Sequence, residues 1–149
     1  MKFFLTALLV SLSSIVFAGN PQIENQKANL EKQTERFKTE YNCPMKFTLD
    51  EKTFTFASNL EGDKFSEVMY GIEFEVRMKC KSENKPKFNG INFIGGSSAM
   101  KYDGCSEENK KDAVKVSLSG KTLTVTCKYS NCFCATDSAT EQTKALLKK

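Results

Sequence analysis

The feature that most constrains this chain is its set of six cysteines, Cys43, Cys80, Cys105, Cys127, Cys132 and Cys134, in 149 residues that include no histidine. An even set of cysteines in an exported protein is oxidised in pairs, and each bridge dictates which distant segments become neighbours. Three of the six fall within "CKYSNCFCA", from Cys127 to Ala135. Such a cluster has three uses: halves of disulfides, metal ligands or redox thiols. Structural zinc favours pairs of ligands two to four residues apart, repeated, which Cys-x₄-Cys-x-Cys does not supply. A redox pair favours Cys-x-x-Cys at a helix start, which the chain lacks. Disulfides are the expectation for all six.

Export is read from residues 1–18, "MKFFLTALLVSLSSIVFA", in which Lys2 precedes an apolar run ending on Val16-Phe17-Ala18. That is a signal peptide cut after Ala18, because the run is shorter than the roughly 20 residues that span a bilayer. Gly19 stands where a lipid-anchored protein would have cysteine. A secreted or periplasmic chain with no membrane span after cleavage is therefore expected.

The 22 basic and 18 acidic residues leave a formal net charge of +4. Only Arg36 and Arg77 are arginine, and lysines alternate with acids, so there is no basic face for tracking phosphates and no nucleic-acid partner is expected. Without histidine there is no Ser-His-Asp or Cys-His nucleophile and no imidazole base. Glu73 and Glu75 read as neighbours on the solvent face of a strand, a poor place for a shifted carboxyl. No catalytic residue and no cofactor is expected.

Periodicity divides residues 19–149 within one domain. Residues 19–44 predict a helix, with Pro21 at its first position and a narrow apolar stripe of Ile23, Leu30, Phe37 and Tyr41. Residues 45–135 predict a β-rich core. Met45, Phe47 and Leu49 alternate, then Phe54 and Phe56 after a polar turn, as in a hairpin. The series Ile72, Phe74, Val76, Met78, Cys80 predicts an inward-facing strand, and "FNGINFIGGSSAMKY" a strand bent at Gly95-Gly96. Val114, Val116 and Leu118, a turn at Ser119-Gly120, and Leu123, Val125, Cys127 and Tyr129 form the clearest hairpin. Residues 136–149 predict a short helix capped by Thr136 or Ser138. The fold class is thus α+β: an antiparallel meander of about six strands, as a sheet or small open barrel, with a helix at each end and disulfide staples.

In a meander, strand direction alternates. Cys43, Cys105 and Cys127 would then share one end of the sheet, and Cys80 would lie at the other with Cys132 or Cys134. Fifteen pairings of six cysteines exist in all, and a crossover would undo this assignment.

"KCKSENKPK" gathers Lys79, Lys81, Lys85 and Lys87 around one loop, a concentration suited to steering toward an acidic partner or an anionic cell surface. "SSAMKY", Ser97 to Tyr102, resembles the Ser-rich motif of bacterial periplasmic lysozyme inhibitors, which are small exported β-barrels; no second motif of that family stands in this sequence. The expectation is an exported, non-catalytic binding module, inhibitor-like or envelope-associated, whose partner is a protein or an envelope component. The alternative is a metal- or thiol-handling protein using Cys105, Cys127, Cys132 and Cys134.

Overall fold

The computed structural model describes residues 21–53, 63–95, 114–127 and 136–148. The expected signal peptide lies outside them, as do Phe54, Phe56, "SSAMKY", Tyr129, Cys105, Cys132 and Cys134. No helix among the described residues is long and apolar enough to cross a membrane.

Helix α1 (Pro21–Thr39) forms as its sequence predicts and buries Leu30 and Phe37. Beyond it Asn42 takes φ 47°, a left-handed conformation that asparagine tolerates better than most residues. The chain reverses there, and the Cys43 N–H donates to the Phe37 carbonyl at 3.0 Å. Strand β1 (Lys46–Asp50) follows and runs into a single 3₁₀ turn at Glu51–Thr53.

The next element overturns the strand expected over Ile72–Cys80. Residues Asp63–Cys80 form an 18-residue helix, α2. Ile72, Val76 and Cys80 belong equally to a period of two and to the i, i+4, i+8 face of a helix. Val68 extends both sets, Met69 extends only the helical one, and all five are buried. Phe74 and Met78, which belong only to the strand pattern, stand 41% and 52% exposed. Glu, Arg, Met and Lys between them are also strong helix formers, which decides the ambiguity.

Strands β2 (Gly90–Gly95), β3 (Val114–Ser119) and β4 (Thr122–Cys127) complete a four-stranded sheet of order β1-β2-β4-β3. It is mixed. β1 pairs parallel with β2 and β2 parallel with β4; only β3–β4 is antiparallel. The six-stranded antiparallel meander is therefore not what the chain builds, and β1 does not enter its pairing as the first arm of a hairpin. Parallel neighbours need a crossover connection, and α2 is that connection between β1 and β2. Helix α3 (Thr136–Leu147) closes the chain, where the short C-terminal helix is expected.

The expected hairpin from Val114 to Cys127 forms, with Leu118 opposite Leu123 and Val116 opposite Val125. Its turn lies at Gly120-Lys121, one residue later than expected, with Gly120 at φ 56° as a two-residue hairpin turn requires. The pairings align side chains in rows across the sheet: Phe47, Ile91, Leu123 and Leu118, then Leu49, Phe93, Val125 and Val116. These rows make the apolar face, and Thr48, Asn92, Thr124 and Ser117 lie on the opposite, polar one. Leu30 and Phe37 of α1, Ile72 and Val76 of α2 and Ala139 of α3 join the apolar rows in a single buried cluster. Each such side chain contributes about 1.5–3 kcal/mol on leaving water. Helices α2 and α3 approach closely at Gly71, where a Cβ would collide with the Thr140 hydroxyl and sit 3.2 Å from Thr136 Cγ2.

The crossover also corrects the cysteine assignment. Because α2 runs back along the sheet, its last residue, Cys80, returns to the end where β1 begins, and it bridges Cys43 with a Cα separation of 5.7 Å. Cys127 ends a strand parallel to β1 and therefore lies at the opposite end, buried and with a free thiol. Closing a loop of sequence separation 37 is worth about 4 kcal/mol in the unfolded-chain entropy picture. The double variant Cys43→Ser, Cys80→Ser should accordingly melt well below the wild type in scanning calorimetry. Equal melting temperatures would show that packing alone holds α2 to β1.

Candidate functional site

One end of the sheet, from which β1, β2 and β4 set out, collects the residues with chemical potential. Helix α2 delivers Lys79 in its last turn. The chain leaves the helix through Lys81 N–H to the Arg77 carbonyl at 3.1 Å and Ser82 N–H to the Lys79 carbonyl at 3.1 Å. The loop is then pinned at three points. Lys85 Nζ donates to the Asn42 carbonyl at 2.8 Å, Phe88 is buried in the core, and the N–H groups of Asn89 and Gly90 both donate to the Lys121 carbonyl.

Helix α3 runs along β3 toward the same end, fixed on the way by Gln142. Its side-chain carbonyl accepts from Val116 N–H at 2.8 Å while its amide donates to the Val114 carbonyl at 2.8 Å. One turn further on, this sets Leu146, Leu147 and Lys148 beside Leu118 and the lysine loop. Together they enclose a cleft of about 530 Å³. Phe88, Leu118, Leu146 and Leu147 supply its apolar walls, and Lys79, Lys85, Lys87 and Lys148 its charge. No described residue lining it is acidic.

Of the four lysines expected to face a partner, the structure brings Lys79, Lys85 and Lys87 together here. Lys81 goes elsewhere: its ammonium lies 5.3 Å from the centre of the Tyr41 ring, which Arg36 also approaches at 5.6 Å. Lys148, Leu118, Leu146 and Leu147 complete the cleft and do not stand out in the sequence. The adjacent Leu146-Leu147 pair was the available signal; both pack against the core and stay only partly buried.

The ends of α2 and α3 lie close to the cleft, and each contributes a partial charge of roughly −0.5 from its last carbonyls. Lysines at helix C-termini are commonly there for that reason alone. The four ammonium groups of the described lining outnumber that negative charge, which totals about −1.

The carboxylates do not form a pair. On a helix, residues two apart point to different sides, so Glu73 and Glu75 diverge rather than sharing a face. Glu73 is only 3% exposed, where a solvent-facing position is expected, and it meets Arg36 Nη1 at 3.4 Å. Burial raises its pKa above the ordinary glutamate value, opposed by the charges of Arg36 and Arg77 and reinforced by that of Glu40. Among the described residues no cluster of three or more cysteine or carboxylate groups is placed to hold a metal ion.

Comparison of the chain with protein-family models, with curated proteins and with solved structures finds no match.

The buried Glu73 makes stability depend on pH. A folded pKa above the unfolded one means that the folded state holds the proton longer, so the contribution of Glu73 to stability is fully present in acid and is lost as pH rises through the folded value. Glu73→Gln should remove this fall, and its melting temperature relative to wild type should rise with pH above the ordinary glutamate range. Parallel melting curves for the two proteins across that range would contradict the assignment.

Proposed function

We propose that the chain is an exported, disulfide-stapled, non-catalytic binding module whose lysine-rimmed cleft takes an anionic ligand. The observation that carries this reading is the convergence of Lys79, Lys85, Lys87 and Lys148 on apolar walls with no acidic lining residue among those described. Like charges held near one another repel, and an arriving anion relieves that repulsion. The apolar walls add a driving force that a solvated lysine cluster lacks.

Two further features support the setting. The Cys43–Cys80 bridge belongs to oxidising compartments, and the apolar leader ending at Ala18 belongs to an exported precursor. The absence of histidine and the divergence of Glu73 from Glu75 favour binding over acid–base chemistry.

Export is tested by N-terminal sequencing of material secreted from cells making the full chain, which should begin at Gly19. A start at Met1 in the membrane fraction would overturn it. The cleft is tested with anilinonaphthalene sulfonate, an anionic aromatic dye that brightens in apolar surroundings. The native protein should bind it at one saturable site that weakens with salt. Lys85→Glu with Lys87→Glu should lower the dye affinity at least tenfold, while Phe74→Ser with Met78→Ser, on the exposed side of α2, should leave it unchanged. Dye binding indifferent to the lysine variant would remove the cleft from consideration.

A further inference from the structure

We infer that Asn89 is a site of spontaneous deamidation that the sheet holds in check, and that its isoaspartyl product unfastens the lysine loop from the strands it joins. The inference does not depend on what the cleft binds. Asn89 is exposed and is followed by Gly90, the first residue of β2; no other Asn-Gly pair stands in the sequence. Glycine has no side chain to shield its own backbone nitrogen, so that nitrogen reaches the preceding asparagine amide with little hindrance. The Gly90 nitrogen gives up its proton and bonds to Asn89 Cγ, the bond from Cγ to Nδ2 breaks, and ammonia leaves with that proton. The product is a five-membered succinimide, which water opens at either carbonyl. One opening gives aspartate. The other gives isoaspartate, in which the main chain runs through Cβ and Cγ and is one carbon longer. Water is the only co-reactant.

The fold opposes the first step. The Gly90 N–H donates to the Lys121 carbonyl at 3.1 Å, and the Asn89 N–H donates to the same carbonyl at 3.0 Å. The Asn89 carbonyl in turn accepts from the Lys46 N–H at 2.9 Å. The attacking nitrogen thus has its proton committed, and the backbone on both sides of Asn89 is fixed, so the near-attack geometry of ring closure is reached only when these contacts open. The rate of deamidation then measures how often this junction opens. The same contacts give the product its effect. At Asn89 the loop meets β1 through Lys46 and the β3–β4 hairpin through Lys121, one residue after Phe88 enters the core. A main chain one carbon longer cannot keep all three attachments at once, whereas aspartate, which preserves the native length, can.

The test ages the protein in mildly alkaline buffer and follows Asn89 by peptide mapping. Deamidation there should run about tenfold more slowly, or slower still, in the native protein than in the same chain unfolded in guanidinium chloride. Hydrogen exchange at the Gly90 amide reports the same opening, and its protection should match the slowing of deamidation within about threefold. Gly120→Val strains the hairpin turn, where Gly120 stands at φ 56°, and so loosens the Lys121 carbonyl; this variant should deamidate several times faster than the wild type. Equal rates in native and unfolded protein, or an unprotected Gly90 amide, would show that the sheet does not hold the site in check. For the product, protein aged while unfolded with its disulfide intact is refolded, and its isoaspartate is counted with a methyltransferase specific for that residue. A fraction of matching size should melt below the wild type. Asn89→Asp should melt close to the wild type, and Asn89→Gln carried through the same ageing corrects for damage elsewhere. If the aged protein melts as the wild type despite its isoaspartate, the longer chain is tolerated and the unfastening is wrong. None of these outcomes bears on the anion-binding reading of the cleft.

Discussion

The bridge between Cys43 and Cys80 determines where everything at one end of the molecule can be. Cys43 closes the turn that leaves α1, three residues before β1, and Cys80 is the last residue of the crossover helix. Joining them fixes α2 along the sheet in both direction and register, because a slide by one helical turn would separate the sulfurs by about 5 Å. The lysine loop starts at the next residue. Its course from Lys81 to Phe88 therefore begins at a covalent anchor and ends in the core, with the Lys85 to Asn42 hydrogen bond returning it to the first half of that anchor. A loop held in this way keeps its charges in place at small cost in conformational entropy when something binds.

Helix α2 has two different sides. Val68, Ile72 and Val76 face the core with no exposure, whereas Tyr70, Phe74 and Met78 repeat every fourth residue on the outside, 62%, 41% and 52% exposed. Arg77 lies over the Phe74 ring at 5.3 Å, and covers part of that stripe with its own stem and charge. Glu73 sits between the two sides. Its carboxylate is drawn inward toward Arg36, which also holds Glu40 at 3.0 Å, so α1 and α2 are linked by a small ionic chain as well as by apolar contact.

Local sequence revealed the elements that depend on local physics. Pro21 and the sparse apolar stripe announce α1, the strict alternation through Val114 to Cys127 announces the β3–β4 hairpin, and the polar, cap-rich tail announces α3. The crossover was hidden because Val68, Ile72, Val76 and Cys80 satisfy two periods at once, and the tie is broken only by Met69 upstream and by the helix-forming charges between them. Once that segment is read as a strand, every later strand direction is inverted, and the Cys80 partner moves to the wrong end of the sheet. Three of the four rim lysines were legible as a cluster along the chain. Lys148 was not, because its approach depends on Gln142 seizing two backbone groups of β3, a long-range contact that leaves no periodic trace.

That grip by Gln142 has a counterpart across the sheet. β3 and β1 are the outermost described strands, and on β1 the Phe47 N–H, which points away from β2, donates to the Thr34 hydroxyl of α1 at 3.0 Å. Each border of the described sheet thus has some outward backbone groups occupied by a side chain from a helix, at Val114 and Val116 on one border and at Phe47 on the other. Open strand borders are templates on which another chain can add itself as an extra strand, the route to domain swapping, fibrils and many peptide complexes. At these positions the template is already taken by residues of the same molecule, and a second copy cannot add a strand through them.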